Sequence, residues 1–211
     1  MSERWIRWLG FLALIVYSIS LIAIEVRVSQ EFARNFFTDI SGPVRLYAMN
    51  TTLSVAFLWA TALIFAVCVL CTEEGRQHRR ERLFYLSQVP VFGFIGLDDR
   101  FMLHELFGGR LGIQDALILL SIGVLEMILL LTLGNLRGRS NESKYYIGAA
   151  ALFFCAMVLI DGLVPPEAVP RLSLEDLSKT WGDVFLFLFA WSICRDKIHT
   201  LKQKANSTTS T

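Results

Sequence analysis

Residues 46–71 contain no Asp, Glu, Lys or Arg, and that stretch alone restricts the folds open to the chain. A helix over such a run is long enough to cross a hydrocarbon layer about 30 Å thick. Further apolar blocks follow at similar length, the third of them closing on a charged stretch. Hydrophobic residues make up 54% of the 211 and charged residues only 18%, against roughly a quarter in ordinary globular chains. The apolar residues lie in blocks rather than stripes, the pattern of membrane spans and not of amphipathic surface helices. The expected fold is all-α: a polytopic integral membrane helix bundle of six transmembrane helices. It forms a single domain over residues 1–204, with spans near 8–28, 46–71, 84–107, 115–136, 145–164 and 174–195, and a disordered polar tail at 205–211.

A formal net charge of +1 hides an asymmetry along the chain. Arg4 and Arg7, the loop with Arg76, Arg79, Arg80 and Arg82, the loop with Arg137, Arg139 and Lys144, and the segment with Arg195, Lys197, Lys202 and Lys204 hold 13 of the 20 Lys and Arg residues. Positively charged loops stay on the cytoplasmic side, which places both termini inside. A plasma membrane, most simply the bacterial inner membrane, is the expected location. The charged start and apolar run of the first segment resemble a signal peptide, but no small-residue cleavage site follows, so an uncleaved span is expected. No basic aromatic patch points to nucleic acid. Cys68, Cys71, Cys155 and Cys194 fall within or at the inner ends of apolar runs, which predicts reduced thiols.

Local signals divide the chain further. Phe32, Phe36 and Phe37 in a polar connector suggest a short amphipathic helix on the membrane surface, and Gly42-Pro43 a turn. Pro90 is expected to bend the third span, and Gly108-Gly109 to end it. Ser173 is a candidate N-cap for the last span, with Asp176 at the third helical position. Asn50-Thr51-Thr52 fits the glycosylation pattern, which a chain of this length meets by chance.

The stretch Asp98-Asp99-Arg100-Phe101-Met102-Leu103-His104-Glu105 carries the chemistry. Counted at 1.5 Å per residue from Phe84, Asp98 lies roughly 21 Å into the membrane, and Asp183 lies roughly 16 Å in from Cys194. Glu25 and Asp161 fall at similar heights, with Glu126 beneath them. Charged residues at such depth mark a site by default and face the bundle interior or a water-filled cavity. On one continuous helix, Asp98 and Glu105 share a face and Arg100 and His104 another.

Two function classes follow. In the first, a membrane-embedded enzyme acts on a lipid-like substrate by metal-assisted hydrolysis. Asp98, Asp99, His104 and Glu105 are then the catalytic candidates, Arg100 and Lys179 the substrate-binding ones, and Asp98, His104, Asp161 and Asp183 the metal ligands. An oxygen-rich set with one histidine suits a divalent magnesium, calcium or manganese better than zinc. The Asp–His–Glu grouping at a helix end, with an Asp on a later span, resembles in style the CREST superfamily of membrane hydrolases. That family's three-histidine arrangement is missing, and six spans stand where seven are expected, so no membership follows. In the second class the protein is non-catalytic: a proton- or ion-coupled transporter, or an accessory or lipid-binding subunit, using its buried charges for a relay or for helix packing. Membrane lipid is the expected partner in both, with a second copy or a membrane-complex subunit completing a chain this short.

Overall fold

The computed structural model describes residues 3–37, 48–112, 115–165 and 167–208. Eight α-helices run in order: α1 (Glu3–Arg27), α2 (Gln30–Arg34), α3 (Met49–Leu70), α4 (Arg79–Phe101), α5 (Leu103–Leu111), α6 (Asp115–Thr132), α7 (Asn141–Leu163) and α8 (Arg171–Thr208). Two single 3-10 turns, Arg76–His78 and Leu136–Gly138, precede α4 and α7, and there is no strand among the described residues. Among the described residues three helical stretches are long and apolar enough to cross a membrane: Trp5–Arg27, Met49–Leu70 and Asn141–Leu163. The expected spans 84–107, 115–136 and 174–195 correspond to α4 with α5, to α6 and to α8, which fall outside that class.

Serine and threonine hydroxyls show how these helices tolerate polar groups. Ser18, Ser20, Thr61, Thr72 and Thr132 each return the hydroxyl to the carbonyl four residues earlier, at 2.6–2.8 Å. A helix in an apolar surround satisfies its own donors in this way. Large apolar side chains meanwhile point outward, among them Trp8, Leu63, Leu70, Leu152 and Leu163. Such exposed surface fits a lipid solvent better than water.

The chain divides into two compact units, Met1–Leu53 with Ala151–Gly182 and Ser54–Ala150 with Asp183–Thr211. In the first, Leu21, Ala33, Phe37 and Leu177 form a core with Tyr17, Ile22, Ile24, Phe36 and Leu172 packed on it. The expected short helix exists as α2, capped by Ser29 accepting from the Phe32 N–H at 3.0 Å; Phe37 past its end is buried, while Phe32 and Phe36 are half-buried. Trp181 stacks between Phe11 and Phe153 and donates its indole N–H to Ser18. Asn50 is buried, with its amide held by Thr180 and the Asp176 carbonyl, so that sequon is closed to modification. The turn expected at Gly42-Pro43 lies outside the described residues.

The second unit packs around Phe65, which is fully buried against Phe84, Tyr85, Phe92 and Phe189. Polar clamps lie beside this stack. Glu81 accepts from the Tyr85 hydroxyl at 2.6 Å and pairs with Lys197 at 2.9 Å. The Arg139 guanidinium lies over the Phe84 and Tyr85 rings. Glu142 accepts from Arg195 at 2.5 Å and from Tyr146 at 2.9 Å. All four cysteines are free.

Two boundaries differ from expectation. α4 passes through Pro90 but stops at Phe101, because Met102 takes a left-handed φ of 49°, a conformation costing a non-glycine residue about 1–2 kcal/mol. Asp98 and Glu105 therefore sit on different helices, and spacings counted across Met102 define no common face. The helix expected to end at Gly108-Gly109 runs on to Leu111, where Gly112, at φ 66°, returns its N–H to the Gly108 carbonyl. Last, α8 continues to Thr208, so the polar segment from Ala205 is helical that far.

Phe65→Ala should lower stability by about 3–5 kcal/mol, the usual cost of emptying a packed phenylalanine site; a thermal midpoint within a degree or two of wild type would show the stack to be dispensable. Glu81 gives a pH signature. Burial pushes its carboxyl up, but hydrogen bonds from Tyr85 and Lys197 and the charges of Lys197 and Arg139 hold it below the usual carboxylate range. A carboxyl lowered on folding stabilises above its unfolded pKa, and the gain is lost as pH falls through the lowered folded value. Glu81→Gln should accordingly lower the midpoint at neutral pH and flatten its fall in acid, as read by thermal scans across that range.

Candidate functional site

Most acids of the chain are answered locally. In the first unit Glu25, 1% exposed, accepts from the Ser173 backbone N–H at 2.7 Å. Ser173 is the third residue of α8, so a carboxylate from α1 caps a helix whose first N–H groups lack intrahelical partners. This replaces the cap expected from the Ser173 side chain, whose Oγ is buried and makes no hydrogen bond. Asp161 pairs with Arg171 at 2.7 Å, Arg171 reaches Glu175 at 3.4 Å, and the Asp161 side chain is 57% exposed. It is an ion-paired group of the first unit. Lys179 belongs to that unit too.

The second unit brings together what the first does not. Ser54 of α3, Asp98 and Asp99 near the end of α4, and Asp183 of α8 all belong to it. Ser54, Asp98 and Asp183 are buried and Asp99 is half-buried. The Ser54 Oγ lies 2.5 Å from Asp99 Oδ2 and 2.5 Å from Asp183 Oδ2. Close approach of α3 and α4 supports this: a Cβ added at Gly96 would meet the Trp59 ring at 2.5–2.6 Å. Glycine at that position lets the two helices come near enough for Ser54 to reach Asp99, three residues further along α4.

A serine hydroxyl has one hydrogen, and an ionised carboxylate has none. Two short contacts from one hydroxyl to two carboxyl oxygens are both hydrogen bonds only if one of the carboxyls carries a proton and donates it to Oγ. Separations of 2.5 Å are those of charge-assisted O–H···O bonds. The arrangement is one hydroxyl within hydrogen-bond reach of two carboxyl groups. Ser54 differs from the five hydroxyls above, which are spent on their own helices.

A second polar pair lies in the same unit. Gln88 of α4, fully buried, donates its amide to Glu126 of α6 at 3.1 Å, while Gln88 Oε1 and Glu126 Oε1 are buried without hydrogen bonds. Glu126 was expected beneath the acid layer; Gln88 and Ser54 were not singled out. Nothing in the local pattern separates Ser54 from Thr61 on the same apolar helix. Of the other expected site residues, Arg100 lies in the second unit directly after Asp99, and the side chains of His104 and Glu105 lie outside the described residues. Among the described residues no group of three or more His, Cys, Asp or Glu is set to hold a metal ion.

The chain belongs to the DUF8692 family, a domain of unknown function whose model matches residues 8–194. No curated protein and no solved structure matches it.

The donor count is open to infrared spectroscopy. Wild type in detergent at neutral pH should show a protonated-carboxyl stretch that disappears in one of the two variants Asp99→Asn and Asp183→Asn. Its persistence in both would show that the proton is elsewhere. Ser54→Ala, which removes the hydroxyl that both carboxyls contact, should cost about 1–3 kcal/mol of stability, the usual loss when a hydrogen bond to a charged group is deleted.

Proposed function

We propose that this member of the DUF8692 family is a multi-pass membrane protein that couples the movement of a cation or small solute to protons, with Ser54, Asp99 and Asp183 as its proton-exchanging centre. The reading includes six spans with both termini in the cytoplasm, in a bacterial inner membrane or its equivalent. The observation that carries it is the single Ser54 hydroxyl between two carboxyl oxygens, each at 2.5 Å. Such a row can pass charge without moving its heavy atoms. As the acid on one side gives its proton to Oγ, breaking one O–H bond and forming another, the hydroxyl proton goes to the opposite carboxylate. The negative charge has then moved the other way, and the number of protons is unchanged. Intramembrane carboxyl chains of this sort are what proton relays are built from. Arg100, beside Asp99 in the same unit, is the cation that would hold an anionic counterpart, and additional copies or a partner subunit would complete a pathway.

A second reading keeps the expected enzyme, a metal-assisted hydrolase of a lipid-like substrate. In its favour three acids, Asp98, Asp99 and Asp183, fall within one unit, with His104 and Glu105 just past the end of α4. Asp161 drops out of its ligand set because Arg171 already engages it.

Liposomes separate the two. With a pH-sensitive dye inside and an imposed pH gradient, external sodium, potassium or magnesium should change the lumenal pH through wild type. Asp99→Asn, Asp183→Asn and Ser54→Ala should each slow that change at least tenfold, on the order of what loss of one proton-transfer group costs. Equal rates in wild type and all three variants would discard the proton reading. Metal-dependent release of fatty acid from the vesicle lipid, abolished by Asp98→Asn, would favour the hydrolase instead.

A further inference from the structure

A cavity of about 470 Å³ opens in the second unit, lined by Arg76, Arg79 and Arg82 together with Val69, Leu83 and Leu86. The proton centre does not use it. Its lining is graded along one helix. Arg79 opens α4, Arg82 follows one turn later on the same face, and Leu83 and Leu86 continue that face. From Arg79 to Leu86 the distance along the axis is about 10 Å, so a charged mouth passes into an apolar floor within the length of a few carbon–carbon bonds. Val69, near the end of α3, adds to that floor, and Leu83 and Leu86 are exposed.

The arginines around this helix start are not alike. Arg80 donates to the Thr132 carbonyl, and Arg82 pairs with Glu74 at 2.8 Å. Arg76 and Arg79 are exposed and have no ion-pair partner among the described residues. Their position is electrostatically costly, because the N-terminus of a helix is its positive end and favours anions, not cations. Arg79, Arg80 and Arg82 crowd the first turn of α4, whose own acid Glu81 is committed to Tyr85 and Lys197, while Glu74 of the preceding loop engages Arg82. An anion seated among the arginines offsets their mutual repulsion at this helix start. Guanidinium forks match phosphate oxygens bidentately.

We propose that this cavity binds the phosphate headgroup of an anionic phospholipid, with Arg76, Arg79 and Arg82 around the phosphate and one acyl chain laid along Leu83 and Leu86. The apolar floor selects an amphiphile over a free anion, and basic pockets at the cytoplasmic ends of membrane helices are where such headgroups settle. Unlike the general attraction of cytoplasmic arginines to a negative surface, this is a site with a fixed place and a defined lining.

Delipidated protein in detergent, titrated with phosphatidylglycerol, phosphatidylcholine or inorganic phosphate and followed by native mass spectrometry, tests it. Phosphatidylglycerol should bind more tightly than phosphatidylcholine. The double variant Arg76→Gln/Arg79→Gln should weaken it about thirtyfold, a factor of roughly five for each charge removed at a membrane surface. The variant Arg137→Gln/Lys202→Gln, which loses the same charge outside the cavity, should bind as wild type does. Both pairs are exposed, so unchanged helicity by circular dichroism is expected for each. Leu86→Ser should weaken the lipid but not inorganic phosphate. Undiminished lipid binding in the arginine variant, or equal loss in the control, would overturn the site. Phosphate that displaces the lipid with no effect of Leu86→Ser would reassign the cavity to a free anion and overturn the lipid assignment.

Discussion

Where the surround is apolar, a carboxylate has to find its hydrogen-bond donor within the protein, and leaving it bare costs several kcal/mol. Ser54 offers one hydroxyl to two acids at once, and the second unit is built so that it can. The Phe65 stack ties α3, α4 and α8 together on one side. The narrow crossing at Gly96 under Trp59 brings α3 to the end of α4. Without that rigidity, two carboxyl oxygens held at 2.5 Å from one Oγ would relax apart, since neither acid gains from closeness to the other. Packing and polar satisfaction are one problem here: the helices hold the acids close, and the hydroxyl between them offers a donor within the bundle.

The remaining acids show other answers to the same demand. Glu25 spends its charge on a helix start, where the backbone supplies the donor. Asp161 stays largely exposed and takes an arginine. Glu126 accepts from a neutral amide, and that pairing leaves two buried oxygens unmatched. Gln88 suits the place because an amide can face a carboxyl with its donor or, turned over, with its acceptor. The Glu25 contact to a backbone N–H has no such freedom, because a peptide nitrogen can only donate.

How much of this could be read from residues alone follows from what each inference rested on. Helical class and the first, second and fifth apolar segments were legible because their signal is block hydrophobicity, which needs no partner. Asp98, Asp99 and Asp183 stood out because charge in such blocks is expensive. What failed was geometry carried across Met102. A left-handed methionine has no signature comparable to glycine at Gly112, so a continuous face joining Asp98 to Glu105 was a reasonable construction on a helix that is in fact two. Ser54 and Gln88 were invisible for a different cause. A hydroxyl or amide in an apolar run usually bonds to its own helix or a neighbour, and only coordinates reveal which one faces an acid. Depth was likewise misleading for Asp161: height along a helix says nothing about which side of it the carboxylate occupies.

The contact between Glu25 and the Ser173 N–H has a consequence in time. Its partners are 148 residues apart, and the first unit is assembled from the two distant pieces of chain that contain them. At synthesis rates of about 5–20 residues per second, the second piece arrives roughly 7–30 s after the first has left the ribosome. Throughout that interval Glu25 closes an apolar helix without the donor it has in the finished protein. The first unit is therefore finished only once the last helix of the chain has been made, and α1 waits for the backbone donor that Ser173 brings.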